Sequence, residues 1–311
     1  MFLPLAVVLS VSAQGEEPVT RINRFIELTE KKEPAFGIFA WNLSPRSGAN
    51  IADTALDFVI IDLEHGPFDM TRLEGYLLGM VNKQELVEKR SLQQRVVPIV
   101  RIPAPGREPA QWMIKQVLDS GAMGVIVPHI ETPEEALAAV QACRYPQRVG
   151  VADFHPEGKR GAAYRWAARY WGVSREDYAR KADLWPLDPE GELTLWVMAE
   201  SVKALENIEE IVNVPGIGGV FIGPGDLAFS MGVPPGDPAV EEASLKILKA
   251  TQNAGLPCGT LTGVSGVEKC VKQGFRIIAV GFDDGLSADV ERAISTGRET
   301  NAQIKAGTMV K

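Results

Sequence analysis

Eight short apolar runs, each followed by a polar or ionisable residue and most of them by a stretch of helical character, restrict the fold of this 311-residue chain more than any other feature. The runs cover residues 36–39, 58–62, 97–101, 124–128, 195–199, 219–223, 257–261 and 277–281. They are continuous rather than alternating, as strands buried on both faces of a parallel sheet must be. Between them lie amphipathic patterns at 132–140, 204–212 and 240–254. The first of these opens with Thr132 as N-cap, Pro133 at the first helical position and Glu135 completing a capping box. The lysine-, glutamate- and glutamine-rich stretch 81–94 reads as a solvated helix. This rhythm predicts an α/β fold, a (β/α)8 TIM barrel, with residues 17–311 as a single domain. A doubly wound open sheet is the alternative, but no GxGxxG follows the first strand.

Residues 149–193 break the rhythm. They hold Trp166, Trp171 and Trp185 with Arg160, Arg165, Arg169 and Arg175, and are expected to form an insertion after the fourth β/α unit. A mixture of aromatic residues and arginines suits a subunit contact, so the segment is expected at the barrel mouth, at an interface, or at both. The first residues are a separate matter. Residues 2–11 are apolar and end in Val11-Ser12-Ala13, the pattern of a secretory h-region and cleavage site, yet no basic residue follows Met1. Residues 1–16 are therefore expected to be either a signal peptide, which implies export, or an apolar extension outside the domain.

Charge and cysteine content narrow the function. Forty acidic residues against 32 basic ones give a net charge of −8, a balance that repels phosphate backbones, so no nucleic-acid partner is expected. No apolar run reaches the ~18 residues that a membrane span requires. Cys143, Cys258 and Cys270 are scattered, as buried apolar side chains would be, and form neither a disulfide framework nor a zinc spacing.

In a barrel of this kind chemistry gathers where strands end. Those positions hold Asp62, Glu64 and His65 after the second run, Arg101 after the third and His129 after the fourth. Glu200 follows the fifth, Asp226 the sixth, Thr262 the seventh, and Asp283 with Asp284 the eighth. Ionisable groups at the ends of apolar strands are costly unless they converge on a ligand. Glu200 and Asp226, on adjacent strands, suit a hard octahedral cation such as Mg²⁺ or Mn²⁺. A general acid–base couple is the other reading of such a pair. The stretch Gly223-Pro224-Gly225-Asp226 brings bare backbone N–H groups to the same place. Asp62, three residues before His65, is expected to orient that imidazole as a base. His129 reads as a loop histidine satisfied by its neighbours.

Several segments together resemble the HpcH/HpaI aldolase family, the metal-dependent class II pyruvate aldolases related to the citrate lyase beta chain. They are Asp57-Phe-Val-Ile-Ile-Asp-Leu-Glu-His65, Val97-Pro-Ile-Val-Arg-Ile-Pro103, Lys115-Gln-Val-Leu-Asp-Ser-Gly-Ala122, Val127-Pro-His129 and Val220-Phe-Ile-Gly-Pro-Gly-Asp-Leu227. The resemblance implies that a divalent ion (Mg²⁺, Mn²⁺ or Co²⁺) is bound by Glu200 and Asp226 and chelates a 2-oxo acid. It implies that Arg101 steadies the enolate and that His65, oriented by Asp62, handles the proton of the aldol hydroxyl. The backbone at Gly225 and Asp226 would hold the pyruvate carboxylate, and Asp119 would reach the site of a neighbouring subunit in a homo-hexamer. The implied reaction splits a 4-hydroxy-2-oxo acid reversibly into pyruvate and an aldehyde, and the implied location is the cytoplasm. Two departures stand out: Met198 occupies a position where the family usually has Gln, and Arg160-Gly161 is followed by the bulkier Ala162-Ala163-Tyr164-Arg165-Trp166. An acyl-CoA lyase using the Arg-rich segment, or an exported non-catalytic 2-oxo-acid binder, are the competing expectations.

Overall fold

The apolar runs form β1 (Ala35–Ala40), β2 (Phe58–Asp62), β3 (Val97–Arg101), β4 (Gly124–Val127), β5 (Thr194–Ala199), β6 (Gly219–Ile222), β7 (Cys258–Leu261) and β8 (Ile277–Phe282). Each strand pairs in parallel with the next, and β8 pairs with β1, closing a (β/α)8 TIM barrel. The computed structural model describes residues 20–104 and 111–307, so the 1–16 segment lies outside the described residues. Helices surround the barrel, and among the described residues none is long and apolar enough to cross a membrane. The capping box at Thr132 and Glu135 is present, with Pro133 at the helix start. The solvated stretch gives a helix, Lys83–Lys89, with no buried residue. The pattern at 204–212 divides into two short helices, Val202–Glu206 and Ile208–Val212. The three cysteines are free and buried.

Side chains fill the barrel in layers. At the floor, Phe25 from the helix Arg24–Glu30 meets Trp196 at 4.8 Å between ring centroids, and Phe58 meets Trp196 at 5.4 Å. All three rings are fully buried. Gly37 makes room for them, since a Cβ there would stand 2.2 Å from the Phe58 ring. Above this, Phe221 stacks on Trp196 at 6.4 Å and meets Phe39 edge-on at 5.8 Å. The next layer up is polar.

Residues 144–193 do not lie at the mouth. The helix Arg165–Trp171 sits beside the start of β4, where Trp171 Nε1 donates to the Gly121 carbonyl and the Tyr170 hydroxyl to Gln94. Tyr178, from the helix Arg175–Lys181, donates to the Leu118 carbonyl, and Glu192 accepts from the N–H groups of Ile22 and Asn23. All of these partners belong to the end where strands begin, so within one chain the Arg-rich segment is remote from the strand ends that carry chemistry. The expectation of a place at the barrel mouth is corrected accordingly.

Arg144 anchors this underside. Fully buried, it forks onto Asp183 at 2.6 and 2.8 Å and reaches Asp153 at 2.8 Å. Removing one partner of such a pair strands the other's charge. Arg144→Ala is therefore expected to cost about 3–5 kcal/mol, read from denaturant unfolding.

Candidate active site

Register places Asp62 of β2 directly beside Arg101 of β3, so their side chains leave the sheet on the same side at the same height. Arg101 forks onto the carboxylate, Nε to Oδ1 at 3.0 Å and Nη2 to Oδ2 at 2.6 Å. Trp41 Nε1 donates to Oδ2 at 2.7 Å and the Glu64 N–H to Oδ1 at 3.0 Å. Burial pushes the Asp62 carboxyl up, but the Arg101 hydrogen bonds and charge, with the Trp41 and Glu64 donors, outweigh it and hold the group below the usual carboxylate range. The last guanidinium nitrogen, Nη1, meets Glu64 Oε2 at 2.9 Å and lies 4.0 Å from the Met198 sulfur. The Phe39 ring supports the guanidinium from below, 4.8 Å from its carbon. Arg101 is thus fixed on every side.

Glu200 closes the other half. It follows β5 and is 3% exposed. Oε1 accepts the His129 N–H at 2.7 Å, while Oε2 lies over Gly223, where a Cβ would stand 2.3 Å away. Only glycine leaves that space open. His129 adopts a left-handed backbone, φ +53°, which aims its N–H at Glu200. Its ring follows: Nδ1 is 3.5 Å from Glu200 Oε1 and Nε2 is 3.9 Å from Glu64 Oε1. Burial, joined by the negative charges of Glu64 and Asp226, pushes the Glu200 carboxyl up to about 7 against the opposing His129 contact. Burial also raises Glu64, with Arg101 working against it. Asp226 is exposed in the first turn of the helix Pro224–Met231. That helix starts at Gly223 with no side-chain cap, so first-turn N–H groups at Gly225 and Asp226 remain available to an anion.

The structure therefore brings Asp62, Arg101, Glu200, Asp226 and His65 to one end of the barrel, with two changes to the expected pairings. Asp62 serves Arg101 rather than His65; the carboxylate beside the half-exposed His65 is Glu64, 3.8 Å from Nε2. His129 is more than a satisfied loop residue, since both ring nitrogens face carboxylates of the site. Asp119 lies elsewhere: it ends the helix Gln111–Asp119 on the side where β4 begins, paired with Lys115 and, at 2.9 Å, with the buried Arg160. Sequence reasoning missed Trp41 and Phe39. The strand-end rule applied to β1 would have found Trp41, whereas Phe39 resembles any other core residue.

A profile of the HpcH/HpaI aldolase/citrate lyase family matches residues 35–289. The chain belongs to the HpcH/HpaI aldolase/citrate lyase family. As such it is a carbon–carbon lyase. It is 35% identical over 247 residues to the 4-hydroxy-2-oxovalerate aldolase of Rhodococcus jostii, covering 78% of this chain and 83% of the relative. It is 28% identical to the hydroxypyruvate/pyruvate aldolase of Roseobacter denitrificans, covering 92% and 98% of the two chains. The crystal structure of a family protein from Burkholderia cenocepacia superimposes with a TM-score of 0.68 at 27% identity, covering 91% of this chain and 99% of that one.

The donor set of this aldolase fits a hard divalent cation. Burial, with a smaller addition from the charges of Glu64 and Asp226, raises the Glu200 carboxyl to about 7, and a bound cation would offset that cost. Among the described residues, the group of three whose oxygens gather within 4.8 Å of one another is Asp153, Asp183 and Asp188, and two of these already pair with Arg144.

Proposed function

We propose that the aldolase reversibly cleaves a 4-hydroxy-2-oxo acid into pyruvate and an aldehyde, using a divalent cation held by Glu200 and Asp226. The observation that carries this reading is the arrangement of Glu200 over Gly223 opposite a guanidinium immobilised by Asp62. The names of the Rhodococcus and Roseobacter relatives support the same chemistry. The cation would supply Lewis acidity toward the carboxylate and keto oxygens of the substrate.

The chain's own groups perform the rest. First-turn N–H groups at Gly225 and Asp226 receive the substrate carboxylate. Arg101 donates to the keto oxygen and steadies the negative charge that grows there as the C3–C4 bond breaks. Because Asp62 already fixes its guanidinium, little reorganisation accompanies the reaction. His65 takes the proton of the 4-hydroxyl as the aldehyde carbonyl forms, and returns a proton to that oxygen in the condensation direction. The electron pair of the broken bond passes into the enolate, which gains a proton at C3 to become pyruvate. Asp119, at the opposite end of its own barrel, reaches a site only in another copy, in keeping with the expected oligomer. The arginines of 149–193, expected to serve an acyl-CoA lyase, share that remote end.

The test is pyruvate release from a panel of 4-hydroxy-2-oxo acids, before and after treatment with EDTA. Release that EDTA stops and Mg²⁺, Mn²⁺ or Co²⁺ restores is expected; undiminished release in EDTA overturns the reading. His65→Ala should slow turnover about 10²–10⁴-fold, the usual span for a lost acid–base group, while leaving calorimetric metal binding unchanged.

A further inference from the structure

We propose that the underside of the aldolase carries a second binding site, a groove along the helix Arg165–Trp171 that takes an adenine nucleotide by its diphosphate and its base. The inference goes beyond the reaction at the strand ends and does not depend on the cation proposed there. It concerns the arginine- and tryptophan-rich residues that the catalytic reading leaves without a task.

The first observation is charge. Residues 160–181 hold six basic side chains against two acidic ones, in a chain whose net charge is −8. Arg160 is buried against Asp119, and Arg180 holds Asp177 and Glu190. Arg165, Arg169 and Arg175 are exposed instead, and they line one groove of about 1070 Å³ whose described walls include no carboxylate. The second is arrangement. Arg165 and Arg169 stand four residues apart on one helix, so they rise from the same face. Like charges at that spacing oppose a helix, and an anion shared between them reverses the sign. The opposite face buries Ala167, Ala168, Tyr170 and Trp171, and the bond from Trp171 Nε1 to the Gly121 carbonyl at 2.9 Å fixes the groove's floor to the barrel. The third is Trp166, 37% exposed and on the same lining as the arginines. Guanidinium groups grip phosphate oxygens two at a time. An indole face offers a nucleobase a surface to stack on. Three guanidiniums match the charge of a diphosphate rather than that of a single carboxylate, and the groove has room for more than an inorganic ion. A nucleoside diphosphate and coenzyme A share this chemistry.

The test is calorimetric titration of the full chain with ADP, coenzyme A, pyrophosphate and adenosine. ADP and coenzyme A should bind, the tighter of the two naming the source, with pyrophosphate weaker and adenosine weaker still. Arg169→Glu should lose at least about tenfold in affinity for ADP, the effect of removing a charged hydrogen bond. Arg292→Ala, which removes an exposed arginine outside the groove, should change nothing. Trp166→Phe should weaken ADP while leaving pyrophosphate as it was, a separation that a merely electrostatic patch does not produce. Circular dichroism checks the fold of each variant, and added salt should weaken every phosphate ligand. Equal ADP binding by the wild type and Arg169→Glu overturns the site, as does no nucleotide binding by the wild type. Pyrophosphate bound as tightly as ADP overturns the nucleotide. Should Arg169→Glu change the sedimentation of the free chain while no nucleotide binds, the groove is a contact between copies and the proposal falls.

Discussion

Glu200→Gln is expected to abolish pyruvate release, by about 10³-fold or more, since a Lewis-acid ion supplies several kcal/mol of transition-state stabilisation. The substitution is nearly isosteric. The amide oxygen can still accept the His129 N–H, and Gly223 still leaves room for the side chain. What disappears is the charge proposed to hold a cation. The folded protein should not suffer, and the sign of the pH effect makes this checkable. Glu200 is raised from an ordinary 4.5 to about 7, so the metal-free folded state binds that proton more tightly than the unfolded chain does. Its contribution is present at low pH and is lost as pH rises through that window. Metal-free Glu200→Gln should therefore melt above the wild type at pH 8, an advantage that fades towards pH 4.5. Wild-type turnover in Glu200→Gln would remove this residue from the site.

Arg101→Lys is expected to lower kcat about 10²–10³-fold, the usual loss when a preorganised donor to a developing oxyanion is removed. Charge is kept, so the effect isolates geometry. Arg101 holds Asp62 with two nitrogens, at 3.0 and 2.6 Å, while a third meets Glu64 at 2.9 Å. An ammonium on a flexible stem cannot satisfy both carboxylates and still face the substrate. A stability loss of about 1–3 kcal/mol should accompany it, because Asp62 is left with an unfilled buried acceptor. Steady-state kinetics and guanidinium unfolding of the same preparation separate the two effects. An unchanged kcat would mean that another group stabilises the enolate.

The strands were legible because their apolar runs need only local reading: β2, β3 and the end of β5 fall where the sequence places them. Strand ends likewise pointed to Asp62, Arg101, Glu200 and Asp226, since a position along a strand determines which end of a barrel it meets. Partnership was not legible. Proximity in sequence suggested Asp62 with His65, but register across two strands sets Asp62 against Arg101. Nor does composition reveal a positive φ, so His129 looked ordinary until its backbone turned both N–H and ring toward Glu200. The mouth alternative for residues 149–193 failed for a related reason. Their aromatic and basic character predicts that they pack against something, whereas Gly121, Leu118 and Ile22 decide at which end.

The ring plug of Phe25, Phe58 and Trp196 makes the barrel a pouch with one opening rather than a passage. Traffic through a single door must queue. In the proposed reaction the keto acid sits deepest, against Glu200 and Arg101, so it is expected to enter first in condensation and leave last in cleavage, with the aldehyde nearer the exit. Product-inhibition patterns should display that order, and random release would mean that the door is wider than the rings below it imply.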